Sequence, residues 1–186
     1  MKLPRKFYNQ KTLKIAQDLL GKFLIRKYRG KKYIGKIVET EGYYGFKDRA
    51  SHASRGETER NKIMFGRAGH AYIYLIYGMY YCLNIVTEKE KYPAAVLIRA
   101  VEPICRGRTC PVPTNGPGKL CRAFKIDKKL NGENLQSDKI WIEARGFKIN
   151  KKDIVRAKRI GVDYAGKCKD YLWRFYIKGN SYVSKI

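Results

Sequence analysis

Glu39 and Glu41 stand one residue apart in Glu39-Thr40-Glu41-Gly42-Tyr43-Tyr44, so two carboxylates run directly into a glycine and two aromatic rings. On a strand with period two, Ile37, Glu39 and Glu41 share one face. A carboxylate at a strand end, beside a loop, is placed to hold a water and take its proton. The local pattern by itself fits better two surface glutamates paired with some of the many lysines. Arg99 is the second candidate, because Val96, Leu97, Ile98, Ala100 and Val101 around it predict burial. A buried guanidinium has to be paired, and a glutamate on the neighbouring hairpin is the obvious partner. His52, in the loop-like run Ser51-His52-Ala53-Ser54-Arg55-Gly56, is a candidate binding residue, although a solvated loop histidine explains it as well.

The segment Ala71 to Asn84, AYIYLIYGMYYCLN, sets tyrosines around a single glycine. Tyr72, Tyr74 and Ile76 fall on one strand face and Ile73, Leu75 and Tyr77 on the other. Most such rings pack within sheets. Tyr77 differs, since it falls at the expected turn, where burial is hardest. A tip aromatic on a basic protein can enter a duplex as a wedge and fill the gap left by a displaced nucleotide. Together with a carboxylate beside further aromatics, this points to excision of a base. A noncatalytic RNA- or DNA-binding protein that uses the tyrosines only for stacking is the competing reading.

The elements that must carry these groups are legible in outline. Thr12 is placed to cap a helix over Leu13–Leu20, which Gly21 would end. Phe23–Tyr28, a turn at Arg29–Gly30 and Tyr33–Glu41 read as a hairpin. A short helix is expected near Thr58–Phe65, and a second hairpin over Ala71–Val86, bent at Tyr77–Gly78. Ala94–Val101 reads as a buried strand, and the proline- and glycine-rich Cys105–Gly118 as a loop leading into a helix, GKLCRAFKI. A strand at Lys139–Glu143, a helix at Ile154–Ile160 and a strand at Trp173–Ile177 complete the order. The sum is an α+β fold over residues 1–186: one domain with a mixed or antiparallel sheet, surrounding helices and a protruding hairpin.

Forty-one Lys plus Arg against 16 Asp plus Glu give a net charge of +25, spread from Lys2 to Lys185. The expected partner is a polyanion met by the folded surface, although a lysine-rich proteome alone can make a soluble protein basic. No apolar run is long enough to span a bilayer, and the amino terminus does not read as a secretory signal. The expectation is a cytoplasmic, nucleoid-associated protein, or a nuclear one in a eukaryote. Cys82, Cys105, Cys110, Cys121 and Cys168 are irregularly spaced without a C-x-x-C pair, which predicts free thiols and no metal site.

In order along the chain, IVETEGYYG, SHAS, TERNKIMF, AYIYLIYGMYYCLNI, VLIRAVEP, NGPGKLCRAF, RIGVDYAG and WRFYIKGN resemble the alkyladenine (3-methyladenine) DNA glycosylases of the non-helix-hairpin-helix type. The resemblance implies a monofunctional enzyme of base excision repair, a monomer acting on damaged purines in double-stranded DNA without a cofactor. By that likeness Glu41 is the general base for the attacking water, and Arg99 supports the nucleotide backbone or that water. Tyr43, His52 and Tyr74 form the slot for the flipped base, the His52 backbone reads the purine edge, Asn84 crowds the exocyclic amine of guanine, and Tyr77 intercalates. The family commonly has a longer segment where this chain has only Ile104–Thr114, which implies a reduced edge to the DNA-binding face.

Overall fold

A computed structural model describes residues 1–105, 108–109 and 112–184. In chain order it contains helix α1 (Arg5–Tyr8), helix α2 (Thr12–Asp18) and strands β1 (Phe23–Tyr28) and β2 (Lys31–Tyr44). These are followed by β3 (Ala71–Ile76), β4 (Tyr80–Val86), β5 (Ala94–Cys105), β6 (Arg108–Thr109) and helix α3 (Pro117–Ala123). Strands β7 (Ile140–Glu143), β8 (Ile154–Ala157) and β9 (Arg174–Ile177) close the series. They join one sheet in the order β3-β4-β5-β2-β1-β7, with β6 on β5 and β9 bridging β2 and β8. All these pairings are antiparallel, and the α+β expectation holds.

Both expected hairpins form, for local reasons. Arg29 (φ 47°) and Gly30 (φ 75°) take the left-handed turn that joins β1 to β2, and Tyr77 (φ 53°) and Gly78 (φ 69°) do the same between β3 and β4. On one sheet face α2 and α3 cover a core that includes Ile15, Leu19, Ile37, Ile98, Val101, Leu120 and Phe175. The opposite face carries the site.

Strict period two does not survive along β2. Its partners on β5 run Ile37↔Val101, Glu39↔Ala100 and Thr40↔Ile98, so Val38 and Arg99 are each skipped. These adjacent β-bulges turn Ile37 to the core face, where Thr40 also donates to the Ala16 carbonyl at 2.7 Å, and leave Glu39 and Glu41 opposite. The expected shared face of Ile37 with the glutamates is therefore corrected.

Further departures have tertiary causes. Residues 154–157 form β8 rather than a helix, because Ile154–Ala157 pair with Ile177–Arg174 of β9. Only Lys62–Phe65 of the expected Thr58–Phe65 helix is helical, as a 3₁₀ turn. Thr12 does not cap α2. Lys11 occupies the cap position, and Glu88 reaches in to accept from the Thr12 backbone N–H (2.7 Å) and hydroxyl (2.9 Å). Cys82, Cys121 and Cys168 are free and buried, but Cys105, at the end of β5 where β6 folds back, is disulfide-bonded rather than a free thiol. Cys110 and part of the short Ile104–Thr114 segment lie outside the described residues.

Candidate active site

Sheet register assembles the site in a row. Tyr72 on β3 pairs with Asn84 on β4, Asn84 with Leu97 on β5, Leu97 with Glu41 on β2, and Glu41 with Arg174 on β9. Tyr74, two residues from Tyr72, shares its face, and the bulge at Arg99 turns that guanidinium toward both glutamates. Tyr43, His52, Tyr74, Tyr77, Asn84 and Arg99 all line one cleft of about 380 Å³. Six of the seven expected residues thus meet in one cavity, and the seventh, Glu41, lies directly behind two of its walls.

Glu41 is fully buried and its hydrogen bonds are asymmetric. Its Oε2 accepts from the Tyr43 hydroxyl at 2.7 Å and faces Arg99 Nη1 at 3.2 Å, whereas Oε1 accepts from the Ile160 backbone N–H at 2.9 Å. A carboxylate offers about four lone-pair sites. Three are taken, and the fourth is on Oε1. Arg99 and Ile160, which bond the two oxygens, both line the cleft, so the carboxylate stands directly behind that wall. Burial alone would lower the Arg99 pKa, but the charges of Glu41 and Glu39 outweigh it and raise the value.

The slot is aromatic and neutral. His52 and Tyr74 meet edge to face with centroids 4.4 Å apart, and Tyr72 lies 5.4 Å from Tyr74. Burial, and then the charge of Arg60, pull the His52 pKa down to about 4, while burial pushes the Tyr72 hydroxyl up to about 12. At neutral pH both groups are uncharged, and the Tyr72 hydroxyl and His52 Nδ1 share a hydrogen bond of 2.9 Å that holds the ring against the slot wall. Asn84 is buried and donates to the Tyr72 carbonyl at 3.2 Å, which fixes its amide at the cleft wall.

A sequence model of the family described as methylpurine-DNA glycosylase (MPG) matches residues 6–181. The chain belongs to that family. It is 48% identical to a protein of Alkaliphilus oremlandii over the whole of both chains. It is 50% identical to one from Methanocella arvoryzae, over 98% of this chain and 96% of the other. A Legionella pneumophila (strain Lens) protein is also 50% identical, over 99% and 98% of the two chains. All three carry the name "Putative 3-methyladenine DNA glycosylase". This chain is accordingly a DNA repair glycosylase of the 3-methyladenine type, a hydrolase of the N-glycosyl bond.

Some residues of the glycosylase site were not singled out by sequence reasoning. Arg159 is buried in a two-pronged pair with Asp48 (2.6 and 2.8 Å) and also donates to the Gly42 and Cys168 carbonyls. Its guanidinium lies 4.7 Å from the Tyr43 ring centroid and 4.9 Å from that of Trp173, so it backs the slot wall. Arg174 reaches Glu39, the other carboxylate of the pair that the sequence singled out, which is as buried as Glu41 and also binds Arg99 and Ser184. The one available signal was that Arg159 and Arg174 sit inside the family blocks RIGVDYAG and WRFYIKGN.

Proposed function

We propose that this glycosylase flips a damaged purine nucleotide into the cleft and hydrolyses its N-glycosidic bond with a water activated by Glu41. The observation that carries the reading is the single free lone pair on Glu41 Oε1, buried behind Tyr43 and Arg99 at the wall of an aromatic slot. As the bond between the anomeric carbon and the base nitrogen loosens, the sugar gains oxocarbenium character, which the adjacent carboxylate stabilises. The water oxygen bonds to the anomeric carbon, its proton passes to Glu41, and the bonding pair leaves with the base. An abasic site remains, and the strand is not cut.

Tyr43, His52 and Tyr74 hold the extruded base, Asn84 crowds the position of the guanine amine, and Tyr77 fills the vacated stack. The slot favours one chemical class of lesion. Tyr43 and Tyr74 are raised well above the ordinary tyrosine range by burial, the Cys82 thiol is raised by burial to about 11, and His52 is held neutral. Each of these groups is thus a poor proton donor. A cationic alkylpurine needs none, because it leaves as a neutral base, and it stacks well on electron-rich rings. Release of 3-methyladenine and 7-methylguanine is therefore expected to outpace release of hypoxanthine.

The deciding experiment is single-turnover base release from duplexes carrying these lesions. The wild-type chain should liberate free base, while Glu41→Gln should bind the same duplex with similar affinity and release base at least 100-fold more slowly, the usual scale for a lost general base. Undiminished release by Glu41→Gln would falsify the assignment.

A further inference from the structure

Glu39 takes no part in the chemistry proposed above, yet it is fully buried one turn of the pleat from Glu41. Its Oε1 accepts from Arg174 Nη1 at 3.0 Å, from Arg99 Nε at 3.3 Å and from the Ser184 hydroxyl at 3.0 Å. Its Oε2 accepts from the Ser184 backbone N–H at 2.8 Å. The Ser184 oxygen in turn accepts from Arg99 Nε (3.4 Å) and Nη2 (3.3 Å). One hydroxyl, brought back from the end of the described chain, thus donates to the second carboxylate and accepts from the active-site arginine. Only Arg99 Nη1 is directed at Glu41, at 3.2 Å.

We infer that Glu39 and Ser184 are positioning residues that hold the plane of Arg99 so that it engages one oxygen of Glu41 and leaves the other open to water. The inference rests on the proposed role of Glu41. A guanidinium between two carboxylates readily pairs fork to fork with either one. Such a pair with Glu41 would occupy the free lone pair on Oε1 and block the water. Glu39 opposes that rotation by binding Nε, and Ser184 opposes it by binding both Nε and Nη2. Ser184 is thereby a working part of the site, although it does not itself line the cleft.

Ser184 is the residue to test, because removing Glu39 would leave Arg99 and Arg174 short of a buried counter-charge and endanger folding. The full-length chain is compared as wild type, Ser184→Ala, Ser184→Thr and Glu41→Gln. Single-turnover release of 7-methylguanine is measured beside the Kd for a duplex carrying a non-cleavable abasic analogue, and the Tm. Ser184→Ala should slow base release about tenfold, the scale of one hydrogen bond to a charged group, with Kd and Tm unchanged. Ser184→Thr, which keeps the hydroxyl, should restore the rate to within about a factor of 2 to 3, the usual context dependence of one such bond. A wild-type rate in Ser184→Ala, equal slowing by Ala and Thr, or a parallel loss of affinity would each overturn the positioning role. If Glu41→Gln is inactive while Ser184→Ala is unimpaired, only this inference fails. If Glu41→Gln still releases base, the proposed base is wrong and the positioning role falls with it.

Discussion

His52 occupies the slot as a neutral ring, and that state has a measurable thermodynamic consequence. Its pKa falls from 6.5 to about 4 on folding, chiefly through burial, so between those values the unfolded chain binds a proton that the folded chain does not. Stability therefore rises with pH across that window, is fully present above pH 6.5 and is lost as pH falls toward 4. Taking the wild-type chain from pH 7 to pH 4.5 should cost it about 2 kcal/mol that His52→Gln retains. Thermal or denaturant unfolding of the two proteins at both pH values checks this. Parallel pH profiles would mean that the ring is not held neutral. At the same scale, the expectation that Arg99 needs a buried glutamate partner was legible from its apolar neighbours, and it pairs with both Glu39 and Glu41. The pairing of Asp48 with Arg159 was not legible, since those residues are 111 positions apart.

The elements divide by whether local chemistry or pairing decides them. Turns at Arg29–Gly30 and Tyr77–Gly78 follow from a glycine, which takes positive φ at little cost, next to β-forming runs, and the sequence located both. The tip of the β3–β4 hairpin exposes Tyr77 (79%) and Met79 (66%) beside the cleft mouth. Because Tyr77 packs against little, Tyr77→Ala should leave the Tm within a few degrees, in keeping with an exposed site. It should weaken lesion-duplex binding about tenfold, the worth of one stacked ring. Fluorescence anisotropy on lesion and undamaged duplexes measures this, and equal affinities for wild type and variant would remove the wedge role. By contrast, β8 was misread as a helix because Ile154–Ala157 carry no strong period of their own. Their strand state comes from the ladder with β9. The bulges at Val38 and Arg99 were equally hidden, since they answer to β5 and to core packing rather than to alternation within β2.

For the molecule as a whole, the net charge of +25 predicts affinity for DNA that falls steeply with salt. The structure gives part of that charge a place. A second cavity of about 440 Å³ shares His52 and Tyr164 with the base cleft and is lined by Arg49, Arg55, Ser51 and Ser54. Neither arginine is in an ion pair among the described residues, so each is available to a phosphate of bound DNA. Arg49→Ala and Arg55→Ala should each reduce the slope of log K against log salt by about 1, as for one lost phosphate contact. Tyr77→Ala should leave that slope unchanged. Binding titrations at several salt concentrations separate the two cases, and unaltered slopes for the arginine variants would place the DNA elsewhere.

The sequence by itself determined the family, through ordered blocks covering nearly the whole chain, together with the basic surface and the hairpins, since composition and short turns depend only on near neighbours. It also determined that Tyr43, His52, Tyr74, Asn84 and Arg99 should converge, as they do around one cleft. Tertiary structure alone decided which oxygen of Glu41 is free, which way Arg99 faces and which hydroxyl holds the His52 ring. Those outcomes depend on Ile160, Ser184 and Tyr72, which reach the site through strand register and chain return. An isolated stretch of sequence does not encode them, because hydrogen-bond asymmetry at a buried carboxylate is set by whichever donors packing brings within about 3 Å.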